Sequence, residues 1–250
     1  MDTTLNYKLK IDNLKVSAGK KTIIDNFSYA FSKHKITAII GQSGCGKSTL
    51  LKSINAIAKE EGLNIEGKLF LDSDNISQMN PEALRKKVGL VFQNPIMLPC
   101  SIEKNILIPY TYHFPDKSGK NTCVEKYLRM AALYDECKDN LRMNASKLSG
   151  GQQQRLSIAR CLCTEPEVIM LDEPCSALDL KNSAIVENLL LKLKESYTIL
   201  IVTHNLAQAK RIADFVVFMD KGNLVEAAPA KDFFKNPKTD LAKEYITYIE

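Results

Sequence analysis

The chain has 250 residues, 45% hydrophobic and 25% charged, which is ordinary globular usage and suits one large domain or two small ones at about 150 residues each. That composition excludes disorder, collagen and coiled coil for the chain as a whole. Thirty-four basic against 29 acidic residues leave a net charge of +5, with Lys20-Lys21 and Arg85-Lys86-Lys87 as short basic clusters, too little to point to nucleic acid.

Residues 7–14 and 22–31 read as partly alternating strands, and 35–40 as a continuous apolar strand of the buried parallel kind. From Ser48 a helix is expected, because Leu50, Leu51, Ile54, Ile57 and Ala58 recur at helical spacing. Strands follow at 68–71 and 88–92. From Gln93 to about Glu165 the pattern turns helical, at 102–106, 124–133 and 152–163, with Pro95, Pro99, Pro109 and Pro115 in the joining segments. This predicts an inserted helical lobe. Strands return at 168–171, 199–203 and 215–219, with helices at 181–194 and 206–212 between them, the signature of a parallel sheet covered on both faces. A turn at Asp220-Lys221-Gly222-Asn223 feeds a last strand at 224–226 and a C-terminal helix.

The longest apolar stretches, 36–40 and 198–202, fall far short of the roughly 20 residues of a membrane-spanning helix. Met1-Asp2-Thr3-Thr4 has no basic flank followed by an apolar core, so no secretory signal is expected. Seven cysteines without a CxxC pair read as reduced thiols packed in a cytosolic protein.

Gly41-Gln42-Ser43-Gly44-Cys45-Gly46-Lys47-Ser48 fits GxxxxGK[ST] directly after a buried strand and directly before a helix. Glycines let successive N–H groups face one point, the helix start adds positive dipole, Lys47 a point charge and Ser48 a ligand for Mg2+. The polyphosphate of a nucleotide fits that cradle. Cys45 within it reads as a small packed side chain, with a reactive thiol as the alternative. Val168-Ile169-Met170-Leu171-Asp172-Glu173 delivers two carboxylates to the C-terminal edge of the sheet, where ligands of open α/β sheets bind. Asp172 suits the magnesium and Glu173 the water that attacks the terminal phosphate. His204 follows the strand before it to the same edge, and Gln93 stands where a neutral amide can hold both ion and water. His34 and His113 have no such setting. The apolar run Asn94-Pro95-Ile96-Met97-Leu98-Pro99 reads either as buried in the helical lobe or as a docking surface for a membrane partner. Ser149 and Gln152 have capping-box spacing around Gly150 and Gly151, a helix start that an anion can approach closely.

The ordered set GQSGCGKST, Gln93, LSGGQQQR, VIMLDEP, SALD and His204 resembles the ATPase subunit of ABC transporters over essentially the whole chain. The resemblance implies a P-loop nucleotide-binding fold of the α/β class, with an antiparallel β subdomain and an inserted α-helical subdomain. Residues 1–92 and 165–250 would form the nucleotide-binding core and 93–164 the helical subdomain. By the same likeness Gly41, Gln42, Ser43, Gly44, Cys45, Gly46, Lys47, Ser48 and Thr49 form the Walker A loop, and Ser149, Gly150, Gly151 and Gln152 the core of the family signature. Asp172 is the Walker B carboxylate, Glu173 the catalytic base, Ser176 to Asp179 the D-loop and His204 the switch histidine, with Ser48, Gln93 and Asp172 around Mg2+. The family works as a head-to-tail pair, each ATP lying between one copy's cradle and the other's Ser149 helix. Integral membrane permease subunits would dock near 96–98 on the cytoplasmic face of the cell membrane, with an extracytoplasmic solute-binding protein as an indirect partner.

The stretches GQSGCGKSTLLKSIN, LSGGQQQRLSIAR, LDEPCSALD and Tyr197-Thr198-Ile199 before IVTHN resemble the phosphate-importing branch, which implies inorganic phosphate as cargo. An importer of another small solute, an amino acid or another oxyanion, is the alternative within the family. A soluble ABC protein acting on ribosomes or DNA is the alternative outside transport. A single ATPase copy with about a hundred residues between Lys47 and Ser149 speaks against it. Ala18 stands where the family usually places an aromatic ring to stack adenine, Leu180 replaces the usual proline after SALD, and 110–121 departs from the branch pattern.

Overall fold

A computed structural model describes residues 7–115 and 119–249; Met1 to Thr4, read above for a secretory signal, lie outside the described residues, as do 116–118 of the departing stretch. In chain order, β1 (Tyr7–Ala18), β2 (Lys21–Ser32) and β3 (Ile36–Ile40) lead to α1 (Lys47–Ile54), α2 (Ile57–Glu60), β4 (Asn64–Leu71), β5 (Asp74–Asn75), α3 (Pro81–Lys87) and β6 (Val88–Val91). Helices α4 (Ile102–His113), α5 (Lys120–Met130), α6 (Tyr134–Cys137) and α7 (Gly150–Leu162) come next. The chain then alternates through β7 (Val168–Asp172), α8 (Leu180–Leu193), β8 (Thr198–Val202), α9 (Leu206–Ile212) and β9 (Phe215–Asp220). It closes with β10 (Asn223–Pro229), α10 (Ala230–Lys235) and α11 (Asp240–Ile249).

Two sheets result. One is antiparallel, in the order β2-β1-β4-β5; the other, β10-β9-β3-β8-β7-β6, is parallel except for β10, which runs antiparallel to β9. Every residue of β3 and β8 is buried, as expected of strands covered on both faces. Alternation along these strands sorts the side chains. Ile39, Met170, Leu200 and Val217 pack with Leu9, Phe27 and Phe31 of the antiparallel sheet and with Leu50 of α1. Ile40, Leu171, Ile201 and Val216 pack with Ile106, Leu128, Leu156 and Leu190 of the helices. The helices between Ile102 and Leu162 therefore share a core with the parallel sheet.

Several boundaries differ from expectation for local reasons. The strand expected over 88–92 stops at Val91 and leaves Phe92 38% exposed. The helix expected to end at Ile106 continues through Pro109 to His113, because buried Tyr110 beyond it joins the core and outweighs the one backbone donor that proline lacks. The helix expected over 124–133 runs from Lys120 to Met130, and Ala132, in the left-handed region at φ 51°, turns the chain away. Helix α3 adds an element to those expected, with a local signal in the sequence: Asn80 Oδ1 accepts Glu82 N at 2.8 Å and Ala83 N at 3.3 Å, and Pro81 takes the first helical position. No helix among the described residues is long and apolar enough to cross a membrane.

Candidate active site

The loop between β3 and α1 is held open by its glycines. Gly41, at φ 147°, has the carbonyl of Met219 2.1 Å from where a Cβ would sit, so no larger residue fits. Gly46 caps α1 with no side chain on its first N–H groups. At the exposed apex a Cβ on Gly44 would meet nothing within 4 Å, which leaves the backbone open to a ligand. Lys47, only 6% exposed, donates from Nζ to the carbonyls of Gly41 at 2.8 Å and Gln42 at 2.7 Å. Its ammonium lies curled within the loop, ready to exchange those carbonyls for phosphate oxygens. Gln42, Ser43 and Ser48 are exposed and Thr49 half-buried. Cys45 is 5% exposed and burial pushes its thiol up, opposed by Lys47, whose Nζ lies 3.8 Å from the sulfur, which favours the packing role.

Strand β7 carries Asp172 and Glu173 to its end beside this loop. Ser48 Oγ donates to Asp172 Oδ1 at 3.0 Å. Burial raises the Asp172 carboxyl above its usual range, opposed by the Ser48 hydroxyl. A hydroxyl and a carboxylate so placed form a donor set for a small hard cation, whose charge would relieve the burial penalty. Among the described residues no group of three His, Cys, Asp or Glu could enclose a metal. The remaining ligands would come from water and phosphate, the usual arrangement for Mg2+ at a nucleotide.

Glu173 is the meeting point. Its backbone lies in the left-handed region at φ 46°, with its N–H bonded to Val202 O at 2.9 Å, a conformation that costs energy and is found at functional positions. Gln93 Nε2 donates to Glu173 Oε2 at 3.1 Å, and His204 Nδ1 lies 3.1 Å from the same oxygen. Ser176 Oγ donates to the Glu173 carbonyl at 3.1 Å and lies 3.4 Å from Gln93 Nε2. Three loops, after β6, β7 and β8, thus bring Gln93, Glu173 and His204 together. A cavity of about 590 Å³ opens beside Glu173 and His204 and runs between α8 and α9.

The helix start at Ser149 is a second cluster. Ser149 Oγ accepts Gln152 N at 3.4 Å and Gln152 Oε1 accepts Ser149 N at 3.0 Å, a complete capping box. The Ser149 hydroxyl proton remains available to an acceptor, and nothing lies within 4 Å of a Cβ built on Gly150. Gly151 is packed instead, with Asn182 Oδ1 2.5 Å from where its Cβ would sit. Asp179 caps α8, accepting Asn182 N at 2.7 Å and Asn182 Nδ2 at 3.1 and 3.0 Å, and these bonds hold its carboxyl below the usual range. No hydrogen bond among the described residues joins the Ser149 cluster to the Lys47 and Glu173 cluster.

Arg155 anchors this helix, and sequence reasoning assigned it nothing although it stands within LSGGQQQR. It is 2% exposed, forks onto Glu136 at 2.6 and 2.9 Å and donates to Ala132 O at 2.5 Å. Glu136 also accepts Gln152 Nε2 at 3.0 Å, and Arg155 foremost holds its carboxyl below its ordinary 4.5. Arg155→Ala is expected to cost about 2–4 kcal/mol, since it empties a buried site and unpairs Glu136, and to lower Tm by roughly 5–10 °C in a thermal melt. A carboxyl held low in the folded state stabilises above its unfolded pKa, so the pair's contribution is lost as pH falls from about 4.5 downward. The variant should lack that part of the acid dependence.

A family model described as ABC transporter matches residues 24–176, more than half of the chain. The chain belongs to the ABC transporter family. This ABC protein is 45% identical over 243 residues to the phosphate import ATP-binding protein PstB of Thermotoga maritima, covering 96% of this chain and 97% of that one. Its structure matches that of a dimeric ATP-binding cassette in a post-hydrolysis state bound to ADP and Pi, at 26% identity and TM-score 0.77, over 89% of this chain and 98% of that one. It also matches cbiO1 from Clostridium perfringens, part of the ABC transporter complex cbiONQ, at 25% identity and TM-score 0.81, over 92% of each chain. A bacterial Atm1-family ABC exporter with ATP bound shares the fold at TM-score 0.83 and 24% identity; the chain is matched over 98% of its length but spans only 42% of that exporter chain. The family makes this an ATP-binding, ATP-hydrolysing subunit, and its two sheets and inserted helices are the P-loop ABC fold expected from the sequence.

Proposed function

We propose that two copies of this chain, on the cytoplasmic face of a membrane complex, hydrolyse ATP to drive uptake of inorganic phosphate. The observation that carries the chemistry is the convergence of Gln93 and His204 on the Glu173 carboxylate, beside the Ser48–Asp172 pair. The observation that favours the cargo is 45% identity to a phosphate import ATP-binding protein over 96% of the chain.

Lys47 leaves the Gly41 and Gln42 carbonyls and binds phosphate oxygens, while the N–H groups of the loop and of α1 receive the rest of the polyphosphate. Ser48, Asp172 and Gln93 would hold Mg2+, which when bound would neutralise charge on the phosphates. Glu173 Oε2 takes the proton of the attacking water, and His204 and Gln93 keep that carboxylate oriented. Ser149 of a second copy, its helix start uncovered at Gly150, closes the far side of the phosphates, so that ATP joins the copies and hydrolysis releases them. The permease docks over a groove of about 350 Å³ lined by Phe92, Pro95, Ile96 and Pro109, where Ile96 is 63% exposed. Exposure favours docking at Ile96, while Met97 of the same run is half-buried and packs against the core shared with the helices.

The cargo is tested by reconstituting the chain with its permease and binding protein and measuring ATPase activity. Inorganic phosphate should stimulate it; stimulation by an amino acid or another oxyanion but not by phosphate would overturn the cargo. By the family likeness adenine lies near Ala18, exposed at the end of β1 and without a ring. Restoring one should therefore help: Ala18→Tyr is expected to lower the KM for ATP about fivefold or more, since stacking a base on an aromatic ring is worth at least about 1 kcal/mol. Steady-state kinetics with ATP reads this directly.

A further inference from the structure

A head-to-tail pair joined by two ATPs sets each copy a geometric condition. Its own loop and its own Ser149 helix must stand at the separation the partner presents, or the two nucleotides cannot be bridged at once and the gain from the second bridge is lost. The body of α7 is fixed by Leu156 and Ala159 in the core, and Gln152 and Arg155 tie its first turns to Glu136. Those ties stay within the inserted helices. Asn182 reaches the helix start from elsewhere, from the first turn of α8 after β7. Half-buried there, it brings Oδ1 to 2.5 Å, Cγ to 2.6 Å and Cβ to 3.0 Å of where a Cβ on Gly151 would sit, so its side chain rests on the bare Cα of Gly151. The same amide is fixed by Asp179: Nδ2 donates to Oδ1 at 3.1 Å and to Oδ2 at 3.0 Å, and the backbone N–H to Oδ1 at 2.7 Å. Upstream, Ser176 Oγ donates to the Glu173 carbonyl at 3.1 Å. One short segment, 173–182, therefore runs from the catalytic carboxylate to the start of the Ser149 helix.

We propose that Asn182 is a positioning residue for the shared ATP site: fixed by Asp179, it seats the start of the Ser149 helix at the distance from its own copy's catalytic segment that lets two ATPs bridge the pair together. The proposal rests on the shared-site reading. It gives Gly151 a purpose within one chain, since any side chain there would displace Asn182 or the helix start.

The test uses the full chain carrying Glu173→Gln, beside the permease and with MgATP, and reads the dimer dissociation constant by sizing over a dilution series. Asn182→Ala unseats Gly151. Asn182→Asp keeps the shape but sets a carboxylate against that of Asp179, while the start of α8 favours the added charge, so its Tm should stay within about 2 °C of the background. Both should raise the dimer dissociation constant about 20-fold, the weight of one hydrogen bond at each of two sites, and leave the MgATP affinity of the dilute single chain within about twofold. Val186→Ala, which opens a cavity in the core under the same helix, should lower Tm and leave the dimer constant alone. A dimer as tight in either Asn182 variant as in the background, or one weakened equally by Val186→Ala, would overturn the proposal. A background that never dimerises would overturn the shared-site reading itself, and the proposal with it.

Discussion

Lys47→Ala is expected to lower ATP hydrolysis about a thousandfold while leaving the fold in place. The rate follows from electrostatics: a fixed cationic donor aimed at charge that develops on the transferring phosphate is worth about 10²–10³ in kcat where single donors of this kind are removed, and Lys47 also contributes to holding the ground-state phosphates. The fold should survive because the ammonium bonds within its own loop, to the Gly41 and Gln42 carbonyls and the Cys45 sulfur, and, among the described residues, to no other element of the structure. Their loss should cost about 1 kcal/mol, or roughly 2–4 °C of Tm. Turnover assays with a thermal melt on the same sample separate the two effects. Retained hydrolysis would count against this loop as the site.

Glu173→Gln is expected to bind ATP like the wild type, to slow turnover by about 10²–10⁴ and to accumulate as an ATP-bound dimer. The substitution keeps the volume of the side chain and its reach to Gln93 and His204, both 3.1 Å from Oε2. It removes the only property the proposed step needs, a carboxylate that accepts the proton of water. If ATP joins two copies and hydrolysis parts them, a chain that binds without hydrolysing stays joined. Sizing in the presence of MgATP and the permease should show the dimer. A variant that remains a monomer under those conditions would contradict a shared site.

Most of the site was legible in the sequence because its chemistry is local. The loop from Gly41 to Ser48 announces itself by glycine spacing, and Asp172, Glu173 and His204 stand where apolar strands end, so the sheet had to carry them to one edge. That Gln93 and His204 would meet at a single oxygen of Glu173, and that Glu173 would sit in a left-handed backbone, was not legible, since both depend on how β6, β7 and β8 align. Arg155 was hidden for a related reason: its partner, Glu136, is 19 residues away and carries no motif of its own. In the fold, β3 and β8 were plain from five buried residues each. The length of α4 was not, because a proline argues locally against a helix that burial of Tyr110 then sustains.

The central claim, that each ATP is held by the loop of one copy and the Ser149 helix of another, is tested most directly by mixing two disabled chains. In a Glu173→Gln background, one carries Lys47→Ala and the other Ser149→Arg, and neither alone should trap nucleotide beside the permease. A mixed pair has one site built from an intact loop and an intact Ser149 helix, so the mixture should retain ATP and run as a dimer. If instead the mixture traps no more nucleotide than either variant alone, each site belongs to a single chain and the shared-site account is wrong.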